Sequence, residues 1–128
     1  MKKPLLFILI FNLCILTAAT AGGRRLNEMP APRLLAPDDI AEFNGKKELE
    51  FRWGNESGGN FDHYDFRLYR GTQTYEKNLI LQKDVPPGQT SLVLDASNFK
   101  SGETYSWSLR YMGARKSMSS YSIFKIKS

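Results

Sequence analysis

Between Tyr105 and Tyr111, large residues alternate with small or charged ones: Tyr105, Trp107, Leu109 and Tyr111 on one phase, Ser106, Ser108 and Arg110 on the other. A period of two places the four large side chains on one face of a β-strand. The same rule holds for Leu49, Phe51 and Trp53 against Glu48, Glu50 and Arg52. It holds again for Tyr64, Phe66 and Leu68 against His63, Asp65, Arg67 and Tyr69. Shorter apolar elements are Leu34-Leu35-Ala36, ended by Pro37, then Leu79-Ile80-Leu81 and Ser91-Leu92-Val93-Leu94. The last strand, Tyr121 to Lys127, sets Phe124 and Ile126 against Tyr121, Ile123 and Lys125. Turn formers separate these segments at Asn44-Gly45, Gly54–Asn60, Gly71–Thr74, Pro86-Pro87-Gly88, Lys100-Ser101-Gly102 and Gly113–Ser119. Short strands punctuated by turns at about 8–12-residue spacing predict an all-β sandwich. The predicted core is Trp53, Tyr64, Phe66, Leu94, Tyr105, Trp107 and Leu109. No segment sustains a helical period, so helix content is expected to be close to nil.

The pattern is different at the start. Lys2 and Lys3 precede an almost unbroken apolar run from Leu5 to Leu16, and Ala19-Thr20-Ala21 follows before Gly22. A basic start, an apolar run and a small-x-small site make a secretory signal peptide, with cleavage expected after Ala21. The run is short for a bilayer, which needs about 20 apolar residues, so no membrane span is expected after cleavage. Residues 22–32, with two prolines and no periodicity, read as a disordered lead-in. Residues 33–128 read as one domain. The expected location is secreted or periplasmic.

Cys14 is the single cysteine and falls inside the apolar run, preceded by Phe11-Asn12-Leu13 rather than by a small-residue pair. Lipid attachment there is disfavoured, and a chain cleaved after Ala21 carries no disulfide or thiol nucleophile. Removing Lys2 and Lys3 from the 18 Lys and Arg leaves 16 against 13 Asp and Glu, a net charge of +3. These charges are interspersed rather than gathered into a basic stripe, which argues against nucleic-acid binding.

Four pieces of this chain resemble the fibronectin type III family, in the variety common in bacterial secreted and cell-envelope proteins. They are Leu34-Leu35-Ala36-Pro37, Leu49-Glu50-Phe51-Arg52-Trp53, Tyr64-Asp65-Phe66-Arg67-Leu68-Tyr69, and Leu94 through Gly102 to Tyr105–Arg110. The resemblance covers about Pro32 to Ser128. It implies a seven-stranded immunoglobulin-like sandwich, with Tyr105 as a corner tyrosine whose hydroxyl returns to the backbone just upstream. Function does not follow from this fold, and no Arg-Gly-Asp occurs anywhere in the chain.

The chemistry on offer is sparse. Trp53 and Trp107 lie on the apolar phase and are expected in the core, not as stacking platforms for a sugar. His63 shares a strand face with Asp65, while Asp62 points the other way; two such groups are too few to hold a metal, and solvated strand surface is expected there. Asp38, Asp39 and Glu42 lack the regular oxygen spacing and glycine turn of a calcium loop. Asn55-Glu56-Ser57 fits a glycosylation acceptor, discounted because the leader looks bacterial. No nucleophile motif or phosphate loop is present. No catalytic residue, metal or cofactor is therefore expected. If the third, sixth and last strands lie side by side, as the resemblance implies, Arg67, Tyr69, Arg110, Tyr121 and Ile123 share one outer face. Tyr and Arg are enriched where proteins bind one another. The expectation is a non-enzymatic module of accessory or adhesion type, contacting another envelope or extracellular protein through that face. Its rivals are a carbohydrate-binding module, with a glycan stacked on Tyr69, Tyr75 or Tyr121, and a structural spacer at the envelope.

Overall fold

Eight strands form two sheets among the residues described by the computed structural model, which are 30–55, 60–114 and 117–128. They are β1 Arg33–Ala36, β2 Ile40–Ala41, β3 Glu48–Gly54, β4 His63–Arg70, β5 Leu79–Val85, β6 Ser91–Asp95, β7 Thr104–Met112 and β8 Ser120–Ile126. Two 3₁₀ turns, Glu76–Asn78 and Ala96–Asn98, precede β5 and follow β6. One sheet has the order β1-β3-β6 and the other β2-β8-β7-β4-β5. Every pairing is antiparallel except that of β2 with β8. The signal peptide expected over residues 1–21, Cys14 and most of the 22–32 lead-in lie outside the described residues. So do positions 56–59 and 115–116 of the two predicted loops.

The expected seven strands become eight because the opening element divides. Pro37 has no N–H to donate and ends β1. The chain then crosses to the second sheet, where Ile40 and Ala41 pair with Lys125 and Ile126. Hydrogen bonds from Lys125 N to Asp39 O (2.8 Å) and from Lys127 N to Ala41 O (2.9 Å) fix the crossing. A second difference lies in β5, which continues beyond Leu79-Ile80-Leu81 to Val85. Its later half, Gln82-Lys83-Asp84, is exposed at the sheet edge and held by register with Arg67, Phe66 and Asp65. Backbone pairing at an edge needs no apolar alternation, and charged residues there discourage further strand addition.

The core lies between the sheets and is dominated by aromatic rings. Leu49, Phe51 and Trp53 from β3 meet Tyr64, Phe66 and Leu68 from β4 and Tyr105, Trp107, Leu109 and Tyr111 from β7, all buried, with Leu94 of β6 beside them. Phe51 sits at the middle, its ring edge-on to Trp107 (5.0 Å between centroids), Phe66 (5.2 Å) and Phe124 (5.7 Å). Edge-to-face contacts of this kind add about 0.5–1.5 kcal/mol each beyond area burial. At the corner before β7, Lys100 N–H donates to the Tyr105 hydroxyl at 2.8 Å. Gly102 takes φ +79°, a backbone conformation that glycine adopts without penalty. The turn is tied down by Gly102 N–H to Ile126 O at 2.9 Å.

Candidate binding face

The outer surface of the five-stranded sheet is built row by row. Antiparallel register sets Tyr121 of β8 opposite Ser108 of β7, Ser108 opposite Arg67 of β4, and Arg67 opposite Gln82 of β5. The next row toward one end carries Ile123, Ser106, Tyr69 and Leu79; toward the other, Arg110, Asp65 and Asp84. The face therefore gathers Arg67, Tyr69, Arg110, Tyr121 and Ile123 on three adjacent strands. The serines at its centre are small, so larger neighbours lean across them. Ser106 and Ser108 are both buried although they point away from the core.

Asp65 organises the charged end of this face, and it is only 5% exposed. Gln82 Nε2 donates to its Oδ1 at 2.9 Å. Arg67 Nε lies 3.3 Å from Oδ1 and 3.2 Å from Oδ2, and Arg110 Nε lies 3.4 Å from Oδ2. One carboxylate thus holds two guanidiniums, each through its Nε and each about a third exposed (32% and 31%). The hydrogen bond to Asp65 raises the Arg67 pKa above its ordinary value; burial opposes the rise and the Tyr69 hydroxyl adds to it. Gln82 also donates to Asp84 Oδ1 at 2.8 Å, and His63 Nε2 lies 3.6 Å from the same oxygen. Solvated strand surface was the expectation for Asp65; the structure corrects it to a buried carboxylate with three side-chain partners, Gln82, Arg67 and Arg110.

Tyr69 requires a second correction. The alternation rule sends it outward, and its expected role was an exposed anchor, but it is 5% exposed. Its cross-strand partner Ser106 leaves space, and Arg67, two residues away on the same face, engages its hydroxyl. Tyr121 reaches over β7 to the loop that follows β4, where its hydroxyl donates to the Thr72 carbonyl oxygen. Tyr121 and Ile123 remain open, 46% and 39% exposed.

Two hollows open on this face and share Tyr69, Ser108 and Ser119 as a common rim. A polar notch of about 110 Å³ is lined by Asp65, Arg67, Tyr69, Ser108, Arg110 and Ser119. Beside it, a shallower hollow of about 340 Å³ runs over Gln73, Thr74 and Tyr121. Asp65, Gln82, Ser108 and Ser119 were not among the residues singled out for binding. The available signal was an acid at Asp65 with Arg67 two positions on, which on a strand places the pair on one face.

The remaining candidates fall elsewhere. Trp53 and Trp107 are in the core. Tyr75 is exposed beside Lys77, whose Nζ stands 6.0 Å from the ring centroid. Asp38, Asp39 and Ile40 border a wide hollow at the β1–β2 crossing, and Glu42 pairs with Lys127 at 3.4 Å. Among the described residues, no group of three or more His, Cys, Asp or Glu could hold a metal ion.

No protein-family model and no curated protein matches the chain. Solved structures do. A computationally redesigned β-sandwich protein is similar over 78% of this chain and 97% of its own, at 14% identity and a TM-score of 0.61. A structure described as a myokine is similar over 79% of this chain and 100% of its own, at 12% identity and a TM-score of 0.56. A human protein's third fibronectin III domain aligns over 73% of this chain and 88% of its own, at 11% identity and a TM-score of 0.47. The fold is a two-sheet β-sandwich, as in the redesigned β-sandwich protein. At these identities the likeness extends to the fold and no further.

Proposed function

We propose that this chain is an exported, non-catalytic module that binds another envelope or extracellular protein through the outer face of its five-stranded sheet. The observation that carries this reading is the buried Asp65 on an outward-facing strand position, holding Arg67 and Arg110 in fixed places beside exposed Tyr121 and Ile123. Solvated surface has no need of a desolvated carboxylate or of two ordered arginines, whose side-chain entropy must be given up. Binding surfaces do, because guanidiniums held in position lose less freedom on complex formation. Tyr121 and Ile123 supply the apolar contact, and the arginines set orientation. Export rests on the leader pattern of residues 1–21. A carbohydrate-binding module is the weaker reading, since Tyr69 is buried and leaves Tyr75 and Tyr121 as the exposed large rings among the described residues.

The test is partner recovery from the native envelope with the parent and with Tyr121→Ser/Ile123→Ser, both shown folded by near-ultraviolet circular dichroism. Loss of one specific partner in the double variant is expected. Equal recovery by both proteins would move the site to the loops around Gly54–Asn60 and Gly113–Ser119.

A further inference from the structure

Arg67 and Arg110 meet Asp65 through Nε, so the Nη groups of both are not consumed by that carboxylate. Arg67 Nη1 stands 3.9 Å from the exposed Glu76, and its side chain also meets the Tyr69 hydroxyl. Among the described residues, Asp65 is the one carboxylate within salt-bridge distance of Arg110. Two guanidiniums against one buried carboxylate leave the notch with an excess positive charge. The other ionisable groups nearby are Asp84, His63 and Glu76; the first and last are well exposed, with side chains 66% and 79% open to solvent that screens them.

We propose that the notch takes one carboxylate from an acidic side chain of an extended partner segment, bridging Arg67 and Arg110 above Asp65. This rests on the protein-binding reading and names the chemistry that the face selects. The size of the notch decides between ligand classes. At about 110 Å³ it holds the equivalent of three or four waters at about 30 Å³ each. Pockets that enclose a free small molecule run to about 300–1,000 Å³. One side chain fits where a whole metabolite does not. The adjoining hollow over Gln73, Thr74 and Tyr121 then receives the neighbouring residues of the same segment. The Ser108 and Ser119 hydroxyls on the shared rim can donate to its backbone or to the second carboxylate oxygen.

Asp65 is what makes the notch selective. Without it, two arginines 3.2–3.4 Å from a common point would repel and spread into water. With it, their Nε edges are fixed, and the remaining N–H donors form a preorganised fork suited to planar, bidentate recognition of a carboxylate. A neutral amide of the same shape forms fewer charge-assisted bonds. It should bind at least about tenfold more weakly, the equivalent of about 1.4 kcal/mol for one such bond.

The experiment is a titration of the isotope-labelled full chain, read by nitrogen–proton NMR. The probes are a capped hexapeptide with a single central glutamate, its glutamine counterpart, and acetate. The glutamate peptide should shift the Nε–H signals of Arg67 and Arg110 and the amide signals of Ser108 and Tyr121 saturably. The glutamine peptide should bind at least about tenfold more weakly, and acetate should move the arginine signals without those of Tyr121. The variant Asp65→Asn/Arg67→Gln/Arg110→Gln keeps an uncharged polar network and should lose the discrimination between the two peptides. Equal binding of both peptides, or no saturable shift through about 10 mM, overturns the inference. Absence of discrimination in the parent chain, while its partner is still recovered through Tyr121 and Ile123, sinks this inference alone. Discrimination retained while no partner depends on Tyr121 and Ile123 sinks the protein-binding reading instead.

Discussion

Asp65 shows how one side chain can set the behaviour of its neighbours. Its carboxylate is buried while both arginines keep about a third of their side chains in water. The consequences of substitution are therefore asymmetric. Asp65→Asn removes a buried charge and lets the arginines turn to solvent, so it should cost about 1–2 kcal/mol. Arg67→Met/Arg110→Met strands the buried carboxylate with Gln82 as its remaining donor, and should cost about 3 kcal/mol or more. Urea melts of the two variants test this; equal costs would mean that Asp65 is better hydrated than its burial indicates. Ser106 gives the converse case. Its hydroxyl is fully buried and has no hydrogen-bond partner among the described residues, so Ser106→Ala should leave stability unchanged or raise it by up to about 1 kcal/mol. A loss beyond about 1 kcal/mol would reveal a partner for that hydroxyl. Neither burial was legible in the sequence. Alternation tells which way Asp65, Tyr69 and Ser106 point, but not that small serines on β7 let β4 and β8 side chains close over them. That depends on cross-strand register, which one strand's pattern does not contain.

At the level of elements, strands whose inner phase is uniformly large and apolar were legible. β3, β4, β7 and β8 follow period-two alternation with their apolar side chains on the inner face. The segments that alternation cannot describe were those held by backbone pairing alone: the two residues of β2 and the Gln82-Lys83-Asp84 half of β5. The corner before β7 allows packing and hydrogen bonding to be separated. Trp107→Ala removes a fully buried indole from contact with Phe51 and Phe66 and should cost about 3–5 kcal/mol. Tyr105→Phe keeps the ring against Phe99, at 5.1 Å, and gives up only the bond from Lys100 N–H, a loss of about 1 kcal/mol. Paired denaturant melts should keep that order. A reversed order would mean that the corner hydrogen bond, not the aromatic core, dominates this end of the domain.

For the whole molecule, the expected stability is that of a domain held by its core, in the usual range of about 5–15 kcal/mol. Its pH dependence has one identifiable alkaline component. Burial raises the Tyr64 pKa above the ordinary 10.0; the neighbouring Trp53 indole opposes the rise, and Tyr111 adds to it. Below pH 10 the phenol is protonated in both states and costs nothing. As pH climbs past 10 the unfolded chain releases that proton while the folded chain keeps it, so stability falls with rising pH. Tyr64→Phe should flatten this decline, measured as the change in unfolding midpoint between pH 9 and pH 11. An identical decline in the variant would assign it to the other tyrosines.

Two sides of the sandwich also differ in what they present. The outer face of β3 carries Glu48, Glu50 and Arg52, with Val93 of β6 exposed beside them. The five-stranded sheet presents the ordered arginine pair, Tyr121 and Ile123. The central claim is that the second surface, and not the first, meets a partner. The most direct measurement places a photo-cross-linking amino acid at Ile123 in one variant and at Val93 in another, each irradiated in the native cells. The account predicts one discrete adduct from position 123, lost on Arg67→Gln/Arg110→Gln in a protein shown to be folded, and none from position 93. Adducts from position 93 alone, or the same adduct from both positions, would contradict it.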